Sequence, residues 1–363
     1  MVYTVYVIAW FLISNRFITL TRGKWDMIKK FTYTLIYSVL FMVILAGCSS
    51  EASDDSSGES IKLQLGHALS EGTPAADLIA EMAEEVKVKT DGRVEIKVFP
   101  NSQLGSETEM LEQMKLGSME SAAIMVGTMQ NLDMRMAIED LPYMWKDIEH
   151  AREAYKGEFG DHLAGIMEKK GMTKIGYLEW GYRHVTNNVK PIVTPEDMKG
   201  LKIRVAESAL RIDAFEQVGA LPTVMAFSEV YGALQQGALD AQENPLANIV
   251  APKFNEVQKY LSLTGHFYNT IMLAVDNDTW AKISPEDQQI ILDESNRISE
   301  EVKVVNDSTQ EAYVKELADK GMTINEDVDT EAFREKMLPV YDKWEKEHFG
   351  EELMNIYREA SGW

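Results

Sequence analysis

Several residue types and motifs that define common protein classes are scarce or missing in this sequence. Cys48 is the only cysteine among 363 residues, so no disulfide can form within the chain. The signatures of zinc proteases, nucleophile-elbow hydrolases, P-loop proteins and dinucleotide-binding enzymes are all missing. The histidines show no mutual spacing typical of metal ligands: His67, His150, His162, His184, His266 and His348. We therefore expect no metal, no cofactor and no enzymatic activity.

Positive charge is also in short supply. The chain has 36 lysines and arginines against 58 aspartates and glutamates, which gives a net charge of −22. Nothing in it forms the basic stripe that a nucleic-acid-binding protein needs. Carboxylates are so numerous that a neighbouring pair says nothing about acid–base chemistry. The sequence therefore excludes nucleic acid as a partner, while its overall composition suits a soluble globular protein.

The N-terminal region has the pattern of a secretory signal. Two lysines precede an apolar run over 35–45, and the small residues of LAGC, 45–48, follow it. LAGC resembles the lipobox of bacterial lipoproteins, which implies that Cys48 is lipidated and becomes the first mature residue. A short transmembrane anchor is the alternative, although the run is short for a membrane span. We expect residues 1–47 to be the signal region and the protein to be held outside the cytoplasm by its lipid.

Two further segments lie outside the predicted folded part. Residues 2–13 are also apolar, and Met27 stands where a conventional signal would start. We therefore expect residues 1–26 to be a misassigned start, with a first membrane segment as the alternative. Residues 48–60 are polar and acidic with almost no apolar side chain, which is typical of a flexible tether. The folded protein is predicted to start near Ile61.

From there the apolar residues alternate between period two and helical spacing. Strands are predicted at 61–65 and 94–98 with a helix between them, so the first unit is βαβ with parallel strands. The next predicted elements are helices at 105–116, 128–137 and 147–169 and a strand at 173–178. The pattern predicts an α/β fold, and the length of the chain favours two lobes over a single core.

A second α/β series follows, and then one long helix. The predicted elements are a strand at 201–205, a helix at 208–218, a helix capped by Ser228 and ended by Gly237, and a strand at 238–242. The segment that begins at Ser284 and Pro285 meets no further glycine or proline until Gly321. About 36 helical residues would span about 54 Å, longer than one lobe of this size. We therefore predict that this helix bridges both lobes.

Two arginines stand near the ends of predicted strands. Arg204 lies close to the carboxyl end of its strand, and Arg183 follows Gly181, which we expect to break the strand that ends at Leu178. Ligands of open α/β sheets gather at this edge, and a guanidinium can hold a carboxylate with two parallel hydrogen bonds. A solvated charge or a salt bridge between lobes is the alternative role for each arginine.

Three other side chains are candidates for the same cleft. Asn244, at the end of its predicted strand, could donate an amide hydrogen bond to an anion or serve only as a turn former. Phe227 and Trp180 could wall a pocket, although aromatic residues near helix starts more often belong to the core. The residue pattern alone leaves both roles open for all three.

Several longer segments resemble the solute-binding receptors of tripartite ATP-independent periplasmic (TRAP) transporters. They are MKGLKIRV (198–205), MAFSEVYGALQQGALDAQENPLANI (225–249), KFNEVQKYLSLTGH (253–266), SQLGSE (102–107) and DLPYMW (140–145). The resemblance covers the chain from about Ile61 onward. It implies a two-lobed, periplasmic-binding-protein-like α/β fold with a long helix that spans both lobes. We place lobe I at 61–181 and 270–309, and lobe II at 182–269 and 310–363.

The resemblance also implies ligand contacts for individual residues. Arg204 falls on the family's carboxylate-binding arginine, and Arg183 on a second arginine or ligand-contacting position. Asn244 falls on the asparagine of the ENP motif, and Phe227 on the aromatic residue that packs against the ligand. His67 falls in the first strand-to-helix loop, which usually supplies a further contact.

One assignment is looser, and three positions depart from the family pattern. Trp180 is placed near the ligand only by its position in the sequence. Ala206 and Val224 stand where many members have proline, and Ala241 replaces a glycine before the ENP motif. None of these departures removes a hydrogen-bond donor. They affect the local backbone and the size of the pocket more than the class of ligand.

The resemblance implies that the protein captures an organic acid, closes over it and delivers it to the membrane subunits of a TRAP permease. C4-dicarboxylates and sugar acids such as hexuronates both suit two arginines and an asparagine. The adjacent pair Arg183 and His184 favours a dicarboxylate, with His67 as a further cation. A tethered sensor that passes ligand occupancy to a signalling partner is the alternative function. Neighbouring permease genes or a neighbouring sensor-kinase gene would discriminate between the two.

Overall fold

The computed structural model describes residues 60–363, so the predicted signal, Cys48 and nearly all of the tether lie outside the described residues. The strands are β1 (Ile61–His67), β2 (Val94–Phe99), β3 (Ser121–Met125), β4 (Met172–Asn187), β5 (Lys202–Val205), β6 (Leu221–Val224), β7 (Ala241–Pro245), β8 (Tyr260–Ser262), β9 (Tyr268–Asp276) and β10 (Thr323–Asn325). The α-helices are α1 (Pro74–Lys89), α2 (Glu107–Lys115), α3 (Ile148–Lys156), α4 (Glu158–Lys169), α5 (Ala209–Gln217), α6 (Phe227–Gln235), α7 (Ala247–Val250), α8 (Asn277–Trp280), α9 (Pro285–Asp319), α10 (Thr330–Trp344) and α11 (Gly350–Ser361).

Two predicted helices differ in the structure. The helix expected at 128–137 is replaced by two 3-10 helices, Val126–Asn131 and Met134–Asp140. Asp133 separates them because its backbone is extended and its carboxylate accepts the N–H of Arg135. This is the local bonding by which aspartate competes with helix formation.

The helix expected at 147–169 is divided into α3 and α4. Gly157 ends the first and precedes the second, with its backbone in an extended conformation. Asp147 starts α3 by accepting the N–H of His150. The apolar spacing that predicted one helix therefore continues across the break at Gly157.

The first sheet has the strand order β2-β1-β3-β9-β4. β1 pairs in parallel with β2 and β3, which confirms the predicted βαβ unit, whereas β9 runs antiparallel to β3 and β4. Apolar side chains of α1 at Ile79, Met82 and Val86 pack with Leu63 and Leu65 of β1 in one core. The helix therefore covers one face of the parallel strands.

The second sheet is built around the carboxyl half of β4. This part of β4 pairs antiparallel with both β7 and β8, while β5 lies in parallel between β7 and β6. The expectation that Gly181 breaks the strand is wrong. Gly181 lies at a β-bulge within β4, with a φ of +98°. A bulge accommodates an extra residue and glycine tolerates the left-handed region, so β4 continues into the second sheet.

The long helix α9 has 35 residues and agrees with the prediction at both ends. The hydroxyl of Ser284 caps its first turn by accepting the N–H of Asp287. α9 contacts α1 and β4 as well as α7 and β10, so it packs on elements of both sheets. The two-lobed α/β fold with a helix that spans both lobes is thus confirmed, whereas the residue bounds of the lobes stay a prediction.

Candidate functional site

Arg204 lies in β5, and only 3% of its surface is exposed. Its Nε donates to the carbonyl oxygen of Met225 at 2.9 Å, and its guanidinium carbon lies 5.9 Å from the ring centre of Phe227. Among the described residues, no carboxylate forms an ion pair with Arg204, and no side chain or carbonyl accepts a hydrogen bond from its two terminal nitrogens. A fork of N–H donors is therefore available in a buried position.

Burial lowers the pKa of Arg204 to about 10, because the charged form loses its hydration. The carboxylates of Glu243 and Glu107 favour the charged form, and the neighbouring cations Arg183 and Arg211 oppose it. Arg204 is still a cation at neutral pH. A buried cation without a bonded anion costs free energy that an anionic ligand would recover.

Arg183 is fully buried. It lies within β4 and not, as expected, in a segment after the end of that strand. Its Nε donates to Oε2 of Glu243 at 2.5 Å, and its Nη2 donates to Oε1 of Glu243 at 3.0 Å and to Oδ1 of Asn244 at 2.9 Å. Its guanidinium also stacks on Trp180 at 5.2 Å. One terminal nitrogen, Nη1, is buried without a hydrogen-bond partner. Arg183 is thus largely neutralised by the protein but keeps one free donor.

Asn244 lies within β7, because that strand runs to Pro245 and not only to Gln242 as predicted. Its amide nitrogen donates to Oε1 of Gln242 at 2.5 Å, while its carbonyl oxygen accepts from Arg183. An amide nitrogen carries two hydrogens, so one donor of Asn244 is not used by this bond. Within the protein, the Asn244 side chain therefore contacts Arg183, whose guanidinium it helps to orient.

Phe227 and Trp180 flank the arginines. Phe227 is the first residue of α6, so the helix starts before Ser228, which we had expected to cap it, and no side chain caps this helix. Trp180 donates from Nε1 to Oδ1 of Asn248 at 2.8 Å. The amide nitrogen of Asn248 is buried without a hydrogen-bond partner, which adds a second unused donor beside Trp180.

His67 is the last residue of β1 and is fully buried. Burial lowers its pKa to about 4, so the ring is neutral at pH 7. Within residues 60–363 no hydrogen bond or ion pair joins it to Arg204 or Arg183, and both ring nitrogens lack a hydrogen-bond partner. Direct contacts join Arg183 to Asn244 and Trp180, and Arg204 to Phe227, and the pairing of β5 with β7 sets the two groups in neighbouring strands. The ligand contact predicted for His67 stays a prediction.

Sequence reasoning missed the fully buried Arg211. It lies in the first turn of α5, and its Nη2 is 2.7 Å from Oδ1 of Asp140, while its Nη1 is 3.0 Å from Oε1 of Glu243. The two carboxylates raise the pKa of Arg211 despite its burial. Arg183 and Arg211 in turn hold the pKa of Glu243 well below its usual range although burial opposes this. Glu243 is the first residue of the ENP motif. That motif is the one sequence signal that could have indicated the role of Glu243 in this network.

A further carboxylate, Glu107, stands at the start of α2. Its Oε1 accepts the N–H of Met125 at 2.8 Å, and its Oε2 accepts the hydroxyl of Thr128 at 3.2 Å. Burial raises the pKa of Glu107, while the positive charges of Arg204 and Arg211 act in the opposite direction. Glu107 is the last residue of the SQLGSE segment, but the sequence pattern did not predict a role for this carboxylate.

A separate cavity of about 980 Å³ opens between β4, α9 and the C-terminal residues. Tyr143, Tyr182, His184 and Trp363 are among the side chains that line it, whereas Arg204 and Arg183 are not. None of the six residues predicted to contact the ligand lines this cavity. In the part of the chain that the structure describes, no helix is long and apolar enough to cross a membrane, and no cluster of side chains could hold a metal ion.

Comparison with known proteins shows the family to which this chain is similar. The model of the bacterial extracellular solute-binding proteins of family 7, DctP, matches residues 65–347. A solute-binding protein of Roseobacter denitrificans is 37% identical over 306 residues, which cover 83% of this chain and 91% of that protein. Its solved structure, with bound L-galactonate, has a TM-score of 0.76 at 33% identity and covers 84% of this chain and 99% of its own.

Two other solved structures are similar. A TRAP solute-binding protein from Polaromonas with bound D-erythronate has a TM-score of 0.78 and 33% identity, over 82% of this chain and 98% of its own. One from Sulfurospirillum deleyianum with bound succinate has a TM-score of 0.77 and 31% identity, over 83% of this chain and 99% of its own. The family consists of transport receptors and not of enzymes. The chain belongs to family 7 of the bacterial extracellular solute-binding proteins, the receptors of TRAP transporters.

Proposed function

We propose that the protein is the lipid-anchored receptor of a TRAP transporter, which binds a small organic acid through Arg204 and delivers it to the membrane permease. The observation that carries this proposal is the buried guanidinium of Arg204, whose terminal nitrogens have no acceptor in the described part of the chain. Every other buried arginine of the cluster has a carboxylate of its own. Arg204 is therefore the group that a ligand carboxylate completes.

The charges around Arg204 favour a ligand with one carboxylate. The prediction of a dicarboxylate relied on basic groups beside Arg183, but burial lowers the pKa of His184 to about 3, so this ring is neutral at pH 7. Nδ1 of His184 accepts the N–H of Gly265 at 3.1 Å. Because Arg183 is already paired with Glu243, a second ligand carboxylate would find no free cation there.

The remaining groups favour a ligand with hydroxyl groups. Glu107 acts on the charge of Arg204, and its carboxyl oxygens can accept hydroxyl hydrogens. The free donors on Arg183 and Asn248 suit hydroxyl oxygens. Two of the similar receptors hold hydroxylated monocarboxylates, L-galactonate and D-erythronate, and one holds succinate. We therefore favour a hydroxylated monocarboxylate, such as a sugar acid, over a C4-dicarboxylate.

Binding and closure follow from the same groups. The acid pairs with Arg204 by two N–H donors while the cleft is open, and closure then removes water from the pair and strengthens it. Phe227 lies against the guanidinium and excludes water from that side. Contacts that exist only in the closed form link ligand binding to the shape that the permease recognises.

A thermal-shift screen tests the receptor function and the class of ligand. The panel contains L-galactonate, D-erythronate, D-glucuronate and succinate. A ligand at one hundred times its Kd stabilises the folded state by about 2.7 kcal/mol, which raises the midpoint of unfolding by several degrees. We expect larger shifts from the sugar acids than from succinate. The largest shift with succinate would return the preference to dicarboxylates, and no shift with any acid would contradict the receptor function.

The lipid anchor is tested separately in the full chain. Expression in a bacterium with an alkyne-labelled fatty acid should label the wild-type protein and leave Cys48→Ser unlabelled. The wild-type protein should then sediment with membranes and the variant should not. Equal labelling of both proteins would rule out Cys48 as the attachment point.

A further inference from the structure

Three contacts join the segment after β5 to elements beside the first sheet. Nε2 of Gln130 donates to the carbonyl oxygen of Glu207 at 2.8 Å, and its Oε1 accepts the N–H of Ala209 at 3.0 Å. The hydroxyl of Thr108 donates to Oε2 of Glu207. Thr108 belongs to α2 and Gln130 to the following 3-10 helix, whereas Glu207 and Ala209 connect β5 to α5 in the second sheet.

The two residues on the first side are fixed to each other. Nδ2 of Asn131 donates to the hydroxyl of Thr108 at 3.1 Å, so this hydroxyl is already oriented towards its acceptor. The bond between Thr128 and Glu107 holds the same two helices together one turn away. Two hydrogen bonds therefore link α2, which carries Thr108, to the 3-10 helix that carries Gln130.

These contacts involve residues next to those of the candidate site. Glu207 follows Arg204 by three residues, and Glu107, the neighbour of Thr108, acts on the charge of Arg204. Arg204 is itself only 3% exposed, although its terminal nitrogens have no hydrogen-bond partner among the described residues. The side chain of Gln130 is itself only 9% exposed.

We infer that Thr108, Gln130 and the segment 207–209 form a clasp that holds the cleft shut over the bound acid. The inference rests on the proposed function, because it assumes a ligand at Arg204. The clasp residues make no use of the ligand's own groups, so they set how long the acid stays bound and not which acid is recognised. Bonds that exist only in the closed form slow dissociation of the bound acid, and because they also hold the empty cleft shut, their loss does not slow association.

The first test measures dissociation of L-galactonate by stopped flow from the full chain carrying Cys48→Ser. Gln130→Ala removes two of the three contacts and should raise the dissociation rate about tenfold, with an association rate equal to or higher than that of the starting protein. Thr108→Val keeps the shape of the side chain and should raise the dissociation rate about threefold. It also serves as the second variant if Gln130→Ala unfolds.

A matched control comes from α9. Nε2 of Gln289 donates to Oδ1 of Asp293 at 2.8 Å on the exposed surface. Gln289→Ala removes a glutamine and one hydrogen bond far from the clasp, so it should leave both rates unchanged. If this control raised the dissociation rate as much as Gln130→Ala, the effect would not belong to the clasp.

The second test needs no ligand. Spin labels replace two exposed leucines, Leu116 after α2 and Leu221 in β6, which are 80% and 55% exposed. Pulsed electron–electron resonance should show longer distances in Gln130→Ala than in the labelled parent protein. Unchanged distances together with an unchanged dissociation rate would overturn the clasp. Failure of L-galactonate to bind the parent protein would contradict the proposed ligand and leave the distance measurement to decide.

Discussion

Replacement of Arg204 by methionine tests the central assignment. Methionine fills much of the same volume against Phe227 but removes the donors that we assign to the ligand carboxylate. Loss of one partner from a buried ion pair costs about 3 to 5 kcal/mol, which corresponds to a loss of affinity of about 150- to 4,000-fold. Titration calorimetry with L-galactonate measures this change directly. Arg204→Lys keeps the charge without the planar fork, so we expect an intermediate loss of about 10- to 100-fold.

The stability of the same variant separates function from folding. Arg204 makes one hydrogen bond and no ion pair with the described residues, so its removal relieves a buried charge. We expect Arg204→Met to unfold at or above the temperature of the wild-type protein. Arg135 pairs with Asp133 near the surface at 2.8 Å, and Arg135→Met should leave the affinity unchanged. An affinity of Arg204→Met within threefold of the wild type would refute the assignment.

Three further predictions concern the buried groups. Glu243→Gln takes the shared carboxylate from two buried arginines and should lower the free energy of unfolding by about 3 to 5 kcal/mol in urea titrations; a loss below 1 kcal/mol would argue against the network. The depressed pKa of His67, about 4, means that the unfolded chain binds a proton first as the pH falls below about 6.5, so stability declines with acid. Between pH 7 and pH 5, His67→Gln should therefore lose about 2 kcal/mol less than the wild type, and equal losses would contradict a neutral buried ring. A Cβ on Gly127 would lie 2.2 Å from Oδ2 of Asp140, so Gly127→Ala should cost about 1 to 3 kcal/mol in thermal denaturation, whereas Gly165→Ala, with open space around it, should not destabilise the protein.

The elements with strong local signals could be predicted from the sequence. The helix α9 has a Ser-Pro start, and no glycine or proline interrupts it before Gly321, so both ends were clear. The parallel unit of β1 and β2 follows from apolar alternation around one helix. The end of β4 could not be predicted, because Gly181 marks a bulge as readily as a strand end and only the pairing with β9 distinguishes them.

The candidate site was predictable only in part. Arg204 and Asn244 lie in segments with a family pattern, so their positions could be compared directly. The pairing of Arg211 with Asp140 joins residues that are 71 positions apart, and although the DLPYMW segment marks Asp140, nothing in the sequence indicates Arg211 as its partner. Burial decides the charge of His67 and His184, and burial is a property of the folded chain. The dicarboxylate preference relied on those charges and for that reason stays a prediction that the geometry does not favour.

The strand β4 also constrains the order in which the protein can fold. The first sheet needs β9, at Tyr268–Asp276, to join β3 to β4, and the chain enters the second sheet before it returns to β9. An N-terminal fragment that stops at β4 would leave β3 with an unpaired edge exposed to other chains. The sheets cannot fold one after the other as separate domains, and such distant pairings slow folding. We therefore expect the whole of residues 60–363 to fold in one cooperative step and its fragments to aggregate.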